Sequence, residues 1–363
     1  MTNKERFLNH MNFKSVDRCF CMETGFWEEL FSEWPMFVAA NVKNNAEANK
    51  FLELDVLENF WGELIYANTF LEPCYPDTLL GETETTLIMY NPYGVVVEKM
   101  KPEYGSRSRM LRPSIVTPHD WDRVKAERFI LTDARRNVNI KQCQKALSGI
   151  GDNPLGLFCG SLVGFTAQML TFEGMIYSCY DYPDMVEDMV ETCYQLINRF
   201  LDQILPCFKF DIACFYENIT CRNGPTIPLW LFRDFVVPRY KFITKKLRQY
   251  GIHLISVGSD GDIRPLLPYF LEAGVNCLSP YEVNGCVHPD ELLSQYSGSL
   301  RIIGGVDKIE IAKGKAAIDK YLDSIYKTVI KGGYIPHIDH DIPPSISEEN
   351  FVYYLERKRS ILG

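Results

Sequence analysis

Long apolar runs, positive charge and nucleotide-binding glycine motifs are all scarce in this chain. No stretch approaches the ~20 consecutive apolar residues that a membrane-spanning helix needs, so no membrane partner is expected. The 38 lysines and arginines stand against 47 aspartates and glutamates, a net charge of −9. That is the wrong sign for a nucleic-acid partner, which needs a basic face. No Gly-x-Gly-x-x-Gly follows an apolar run and no phosphate-binding loop occurs, so dinucleotide and nucleotide readings lose their main support. The opening "MTNKERFLNHMNF" has charge but no apolar signal-peptide core, and there is no Cys-x-x-Cys pair. The twelve cysteines lie scattered among apolar neighbours, as in "GLFCGS" and "IACFYE", and read as buried thiols of a reduced, cytoplasmic protein. Cys19 and Cys21, two apart, share one face of a strand and read as core.

What is present is enough for a sizeable core: 363 residues, 46% of them hydrophobic and 23% charged. The sequence contains no internal repeat and no low-complexity linker. Residues 1–150 are irregular and rich in aromatics. Within them "TTLIMYNPYGVVVEKM" (85–100) is β-rich on both sides of Asn-Pro-Tyr-Gly, a hairpin signal. "TPHDWDRVKAERF" (117–129) starts a capped helix, with Thr117 or Asp120 as N-cap.

From about residue 155 the rhythm changes. Short apolar runs at 155–160, 210–217, 252–260, 275–282, 301–307 and 334–340 alternate with amphipathic stretches. In the first long stretch Met185, Met189, Cys193, Leu196, Phe200 and Ile204 recur at three and four, behind Pro183, which predicts a helix. A second helix over 229–251 is interrupted near Pro238. The alternation predicts a parallel sheet with helical cover, and the number of units favours a closed (β/α) barrel over an open sheet.

The strands end in polar residues: Glu217, Asp260, Glu282, Asp307, and finally His337, Asp339 and His340 within "GGYIPHIDHDIPP". In a parallel barrel these ends meet at one face, where catalytic sites lie. Carboxylates gathered there need a cation, a shared proton or a basic substrate. A blander reading stands beside this for each residue, because acids after strands often cap the next helix: Asp260 or Asp262 before Ile263, and Asp307 before Ile309. The recurrence at several strands points to function. His340, flanked by Asp339 and Asp341, is the best single cluster; His253 begins its strand, and His10, His119 and His288 have no cluster around them.

The chain resembles the uroporphyrinogen decarboxylase superfamily. The likeness begins weakly at "ERFLNHMNFKSVDRCF". It is strongest from "FYENITCRNGPTIPLWLFRDFVVPRYKFI" through "SDGDIRPLLPYFLEAGVNCLSPYE" and "RIIGGVDK" to "GGYIPHIDHDIPPSISEENF". It implies a single (β/α)8 TIM barrel over 1–363 with an N-terminal elaboration. The decarboxylases of that superfamily carry an arginine-rich N-terminal motif that grips substrate carboxylates; the matching "METGFWEELFSEWP" (22–35) has no arginine. The other branch transfers methyl groups with a corrinoid, and its thiol-methylating members bind zinc through His-x-Cys and a later Cys. Here Gly258 and Asp260 stand at the pair and His340 at the later Cys.

An oxygen and nitrogen donor set suits a harder leaving atom than sulfur. The resemblance therefore implies the first methyltransferase of an ether O-demethylase. Such an enzyme moves a methyl group from a small methoxylated, aromatic substrate to the cobalt of a corrinoid protein. The implied zinc is held by Asp260 and His340 with Glu282 or Glu217, leaving an open position. Asp260, Glu282 and Asp307 are the candidate catalytic carboxylates, and Tyr281, Tyr216, Phe215, Trp27 and Trp34 the candidate pocket walls. Three apart on a strand, His337 and His340 are expected on opposite faces, with His340 alone at the metal. The rivals are a metal-free, decarboxylase-like lyase, methyl transfer from a methylcorrinoid to another acceptor, and a non-catalytic tetrapyrrole-binding module.

Overall fold

The computed structural model describes residues 1–65, 71–101, 104 and 108–363. Its N-terminal part carries an antiparallel sheet of β1 (Thr78–Glu82), β2 (Thr86–Tyr90), β3 (Val96–Met100) and β4 (Ser108–Arg112), paired in that order. The turn between β2 and β3 is Asn-Pro-Tyr-Gly. The Asn91 side chain accepts from Tyr93 N and Val95 N, both at 3.0 Å, and Gly94 supplies a φ of +71°. Thr117 caps the helix Pro118–Arg128 in a reciprocal box with Asp120.

The larger sheet is parallel. It contains β5 (Gly156–Gly160) and β6 (Ile212–Tyr216). After a short hairpin of β7 (Thr220–Cys221) and β8 (Gly224–Pro225) come β9 (Leu254–Gly258), β10 (Cys277–Tyr281), β11 (Arg301–Val306) and β12 (Tyr334–Ile338). The order is β12-β11-β10-β9-β6-β5, with helices between successive strands. Pro183–Ile204 buries the stripe Met185, Met189, Cys193, Leu196, Phe200 and Ile204. Pro238 lies at the second position of Val237–Gln249, and the backbone over Phe232–Val236, just before it, widens into a π turn. No helix among the described residues is long and apolar enough to cross a membrane.

Two extended segments fill the gap between β12 and β5. Asp55 N donates to Cys21 O at 2.8 Å, which joins the two segments to each other. Glu58 N bonds Pro154 O and Gly156 N bonds Glu58 O, which joins the second to β5. The first meets the chain after β12 where Trp27 N bonds Ile342 O and Ile342 N bonds Gly25 O. These bonds bridge the gap, and the interior is continuous across it. Phe20 and Met22, Leu57 and Phe60, Ile212 and Cys214, Leu254, Cys277, Ile303 and Ile335 form one buried cluster, with Phe158 of β5 packed against it. Helix Asn3–Met11 plugs the lower end with Phe7 and Met11, and His10 Nε2 donates to Tyr334 O at 2.7 Å.

At the weakest seam a side chain does the work of a ladder. Glu23 Oε2 accepts from Ile338 N at 2.9 Å, while Oε1 accepts from Tyr354 OH at 2.9 Å and Lys358 Nζ at 2.8 Å. Both charges are buried. Lys358→Met, which strands the Glu23 carboxylate, should cost about 3–5 kcal/mol in urea unfolding. Adding Glu23→Gln should recover part of that loss; a double variant weaker than the single one would show that the seam depends on charge rather than shape.

Burial lowers the pKa of His10. The unfolded chain therefore binds the extra proton first, so stability is lost as pH falls below about 6.5 and on through the lowered folded-state value. The urea midpoint of His10→Gln should fall less steeply between pH 7.5 and 5.5 than that of the wild type; parallel slopes would remove His10 from the acid response.

Candidate metal centre at the barrel mouth

Strand parity places part of the mouth; Glu282, beyond a register shift in β10, and His340 lie past their strand ends and escape it. In β6, Ile212 and Cys214 belong to the interior cluster and Ala213 and Phe215 to the outer one. Tyr216 therefore points inward and Glu217 outward. Along β9 the interior Leu254 sets the parity of Ser256, Gly258 and Asp260. In β12 Ile335 sets that of His337 and Asp339, while His340 follows the strand end.

Three of the expected residues converge. One ligand atom each from Asp260, Glu282 and His340 lies within 4.8 Å of the other two. Donors about 2.1 Å from a tetrahedral ion sit about 3.4 Å apart, so side-chain adjustment of roughly an ångström or less closes the set. Asp260 Oδ2 accepts from Tyr216 OH at 3.1 Å, and Glu282 Oε2 accepts from Gly261 N at 2.7 Å. Neither carboxylate has an ion-pair partner among the described residues. The carrying loop is clamped by Thr220 Oγ1, which donates to Asp260 O, and by Ser259 Oγ, which accepts from Ile219 N at 3.0 Å. Gly261 has a φ of +83°, and a Cβ there would lie 2.3 Å from the Cys221 carbonyl carbon.

The His340 ring is half-buried. Its Nδ1 is 3.1 Å from Asp339 Oδ1 and 2.8 Å from Lys308 Nζ. The Asp339 carboxylate raises the His340 pKa against the opposing effect of burial. Burial and the adjacent Asp260 anion push the Tyr216 phenol up, so it stays a donor. His337 lies outside the group: its Nδ1 bonds Ile338 O at 2.6 Å, its Nε2 is buried without a partner among the described residues, and burial lowers its pKa.

Other expected site residues sit elsewhere. Glu217 is not part of the group. Its carboxylate is fully buried and accepts from Ser161 Oγ (2.7 Å), Leu162 N and Val163 N (both 2.9 Å), Gly164 N (3.1 Å) and Tyr240 OH. That anchors the chain entering helix Gly164–Leu170, where a Cβ on Gly164 would lie 1.9 Å from Glu217 O. Asp307 is a helix cap: Oδ1 accepts from Ile309 N and Asn284 Nδ2, both at 2.8 Å. Phe215 is core, edge-on to Tyr240 at 5.1 Å. Trp34 is core of the elaboration, against Phe26, Phe37 and Phe351. The Tyr281 hydroxyl is spent on Val287 O at 2.7 Å. Trp27 is exposed, its backbone paired with Ile342 near the rim.

Trp61 was not foreseen. Its ring meets Tyr216 edge-on at 5.8 Å. It lines a cavity of ≈440 Å³ together with Phe60, Thr24, Glu63 and Asp341, the residue after His340. Nothing in the sequence marks Trp61 off from core aromatics, and Lys308 follows Asp307 with no pattern to signal its reach.

The uroporphyrinogen decarboxylase (URO-D) family model matches residues 90–360. The chain belongs to that family, whose fold is the TIM barrel. Among solved structures it is similar to a methyltransferase from Methanosarcina mazei. The TM-score is 0.58 at 16% identity, over 99% of this chain and 98% of that one. No curated protein matches it.

Glu217→Gln should lose about 2–3 kcal/mol of stability, because a carboxamide cannot accept from all five donors. It should leave divalent-metal binding by the folded protein unchanged; a loss of metal affinity in folded Glu217→Gln would return this residue to the ligand set.

Proposed function

We propose that the chain is a corrinoid-dependent methyltransferase that removes the methyl group of a small methoxylated, aromatic substrate. The observation that carries this reading is the convergence of Asp260, Glu282 and His340 at the mouth of a URO-D-family barrel. The overall likeness to the Methanosarcina mazei methyltransferase is consistent with it.

The donor set fits a divalent ion such as zinc: two carboxylates with no counter-ion among the described residues, and an imidazole, with no thiolate among them. Held by Asp260, Glu282 and His340, such an ion would supply Lewis acidity toward an ether oxygen, and a reduced corrinoid on a partner protein would supply the nucleophile. The chain's own residues do the rest. Tyr216 orients Asp260 through its hydroxyl, and the Gly261 amide orients Glu282. Asp339, fully buried, backs the His340 ring. Tyr216 and Trp61 offer aromatic faces beside the group, against which an aryl ether can stack.

Decarboxylation of a polycarboxylate is the weaker reading. Asp260, Glu282 and Asp339 gather at the mouth, and Asp341 borders the adjoining cavity. That field repels a polyanion, and 22–35 contains no arginine.

The test is incubation with a reduced corrinoid protein and a panel of phenyl methyl ethers. Methylated corrinoid should appear with at least one ether, and chelation should abolish it. His340→Ala should lose bound metal and more than about 100-fold in rate, beyond what outer partners of a metal site contribute. Turnover that survives chelation, or methyl transfer to a thiol and from no ether, would overturn the reading.

A further inference from the structure

One cation touches the group of three through His340: Lys308. Its Nζ lies 2.8 Å from His340 Nδ1 and 3.7 Å from Asp339 Oδ1, and those two atoms are 3.1 Å apart. The two contacts to Nδ1 belong to different states. An ammonium has only donors, so Lys308 bonds Nδ1 when that nitrogen carries its lone pair. A carboxylate only accepts, so Asp339 bonds Nδ1 when that nitrogen carries the proton. Lys308 and Asp339 therefore select opposite tautomers of the same neutral ring.

The choice decides whether His340 can ligate. With the proton on Nδ1, held by Asp339, the Nε2 lone pair is free for a metal. With Lys308 on Nδ1, that lone pair is occupied and Nε2 carries the proton, so neither ring nitrogen is available. The partners differ in mobility. Asp339 is fully buried, and its Oδ2 lies 3.4 Å from Val283 N. Lys308 is 29% exposed on a flexible stem, at the first position of the five-residue helix Lys308–Ala312.

We propose that Lys308 is an internal competitor for the metal. Its ammonium occupies His340 Nδ1 in the metal-free protein and holds the ring in the tautomer that cannot ligate. Metal binding displaces the ammonium: Nε2 releases its proton to solvent as the metal takes that lone pair, Nδ1 takes up a proton from solvent, and the new Nδ1–H donates a hydrogen bond to the Asp339 carboxylate. The inference rests on the reading of Asp260, Glu282 and His340 as a metal centre.

The test uses the full chain stripped of metal, with zinc titrated against a chromophoric chelator at fixed pH and ionic strength. Removing one positive charge from within several ångströms of a divalent ion should make Lys308→Met bind zinc about tenfold more tightly than wild type. Lys308→Arg, which keeps the charge, should bind no more tightly than wild type. Asp339→Asn should bind about 10–100-fold more weakly. Nitrogen-15 spectra of the metal-free proteins give a readout that packing alone does not move: the His340 proton should sit on Nε2 in wild type and on Nδ1 in Lys308→Met. Equal zinc affinity of wild type and Lys308→Met, or an unchanged tautomer, would overturn the competition while leaving the metal centre in place. Absence of zinc binding by both proteins would overturn the metal centre and the competition with it.

Discussion

The Glu23 carboxylate is the contact on which the rest of the barrel depends. Six parallel strands pair through their backbones, but β12 has no regular neighbour on its open side. Glu23 supplies one. Its two oxygens take the Ile338 amide, the Tyr354 hydroxyl and the Lys358 ammonium, and so tie the first extended segment, β12 and helix Glu348–Leu362 together. Burying such a pair gains little over an apolar substitute. Its value lies in direction. It fixes the register of β12 at the residue before Asp339, and that register determines where His340 emerges. A one-residue slip would turn Asp339 outward and remove the group that backs the imidazole.

The other half of the site is held by loop packing. Asp260 and Glu282 come from neighbouring strands, and their loops pass so closely that Gly261 lies against Cys221 on one side and Gly285 on the other. Glycine is required there by contact as well as by conformation. The close approach lets a backbone amide, Gly261 N, reach Glu282, and it keeps both carboxylates aimed at the same point. The rigid scaffold thus brings together residues nearly eighty positions apart, because every β-to-α connection in a parallel barrel opens on the same face.

The barrel was legible in the sequence because its signal is repeated: apolar strands and amphipathic helices alternate over two hundred residues, and each unit reinforces the others. The convergence of Asp260, Glu282 and His340 was legible for the same reason, since all lie just past strand ends. Glu217 and Asp307 carry the same one-letter signal and do different work. Parity within the strand separates Glu217 from Asp260. Ala213, Phe215 and Glu217 share the outer face, whereas Asp260 shares the inner face with Leu254. That distinction also assigns Phe215 to the core and Tyr216 to the mouth. The two closing segments are less legible, because they are irregular and pair partly through side chains, so no period marks them. Lys308 and Trp61 were invisible for another reason: their roles come from where long side chains end, and sequence spacing fixes only where they begin.

The charge balance of the mouth explains why these features belong together. Two carboxylates no more than 4.8 Å apart repel by at least about 3.5 kcal/mol at an effective dielectric of 20. That is a large fraction of the 5–15 kcal/mol that typically separates folded from unfolded protein. The Tyr216 hydroxyl relieves Asp260 and the Gly261 amide relieves Glu282, each by roughly 1.5–3 kcal/mol as a bond to a charged group. These bonds stabilise each anion separately and do nothing to bring the two together. Lys308 contacts His340 Nδ1 and lies beside Asp339, and among the described residues Asp260 and Glu282 have no counter-ion. A neutral substrate cannot correct that imbalance, and an anionic one worsens it. A small divalent ion between the two carboxylates, with a third donor from His340, would balance that charge, which is the reading proposed for these strand ends.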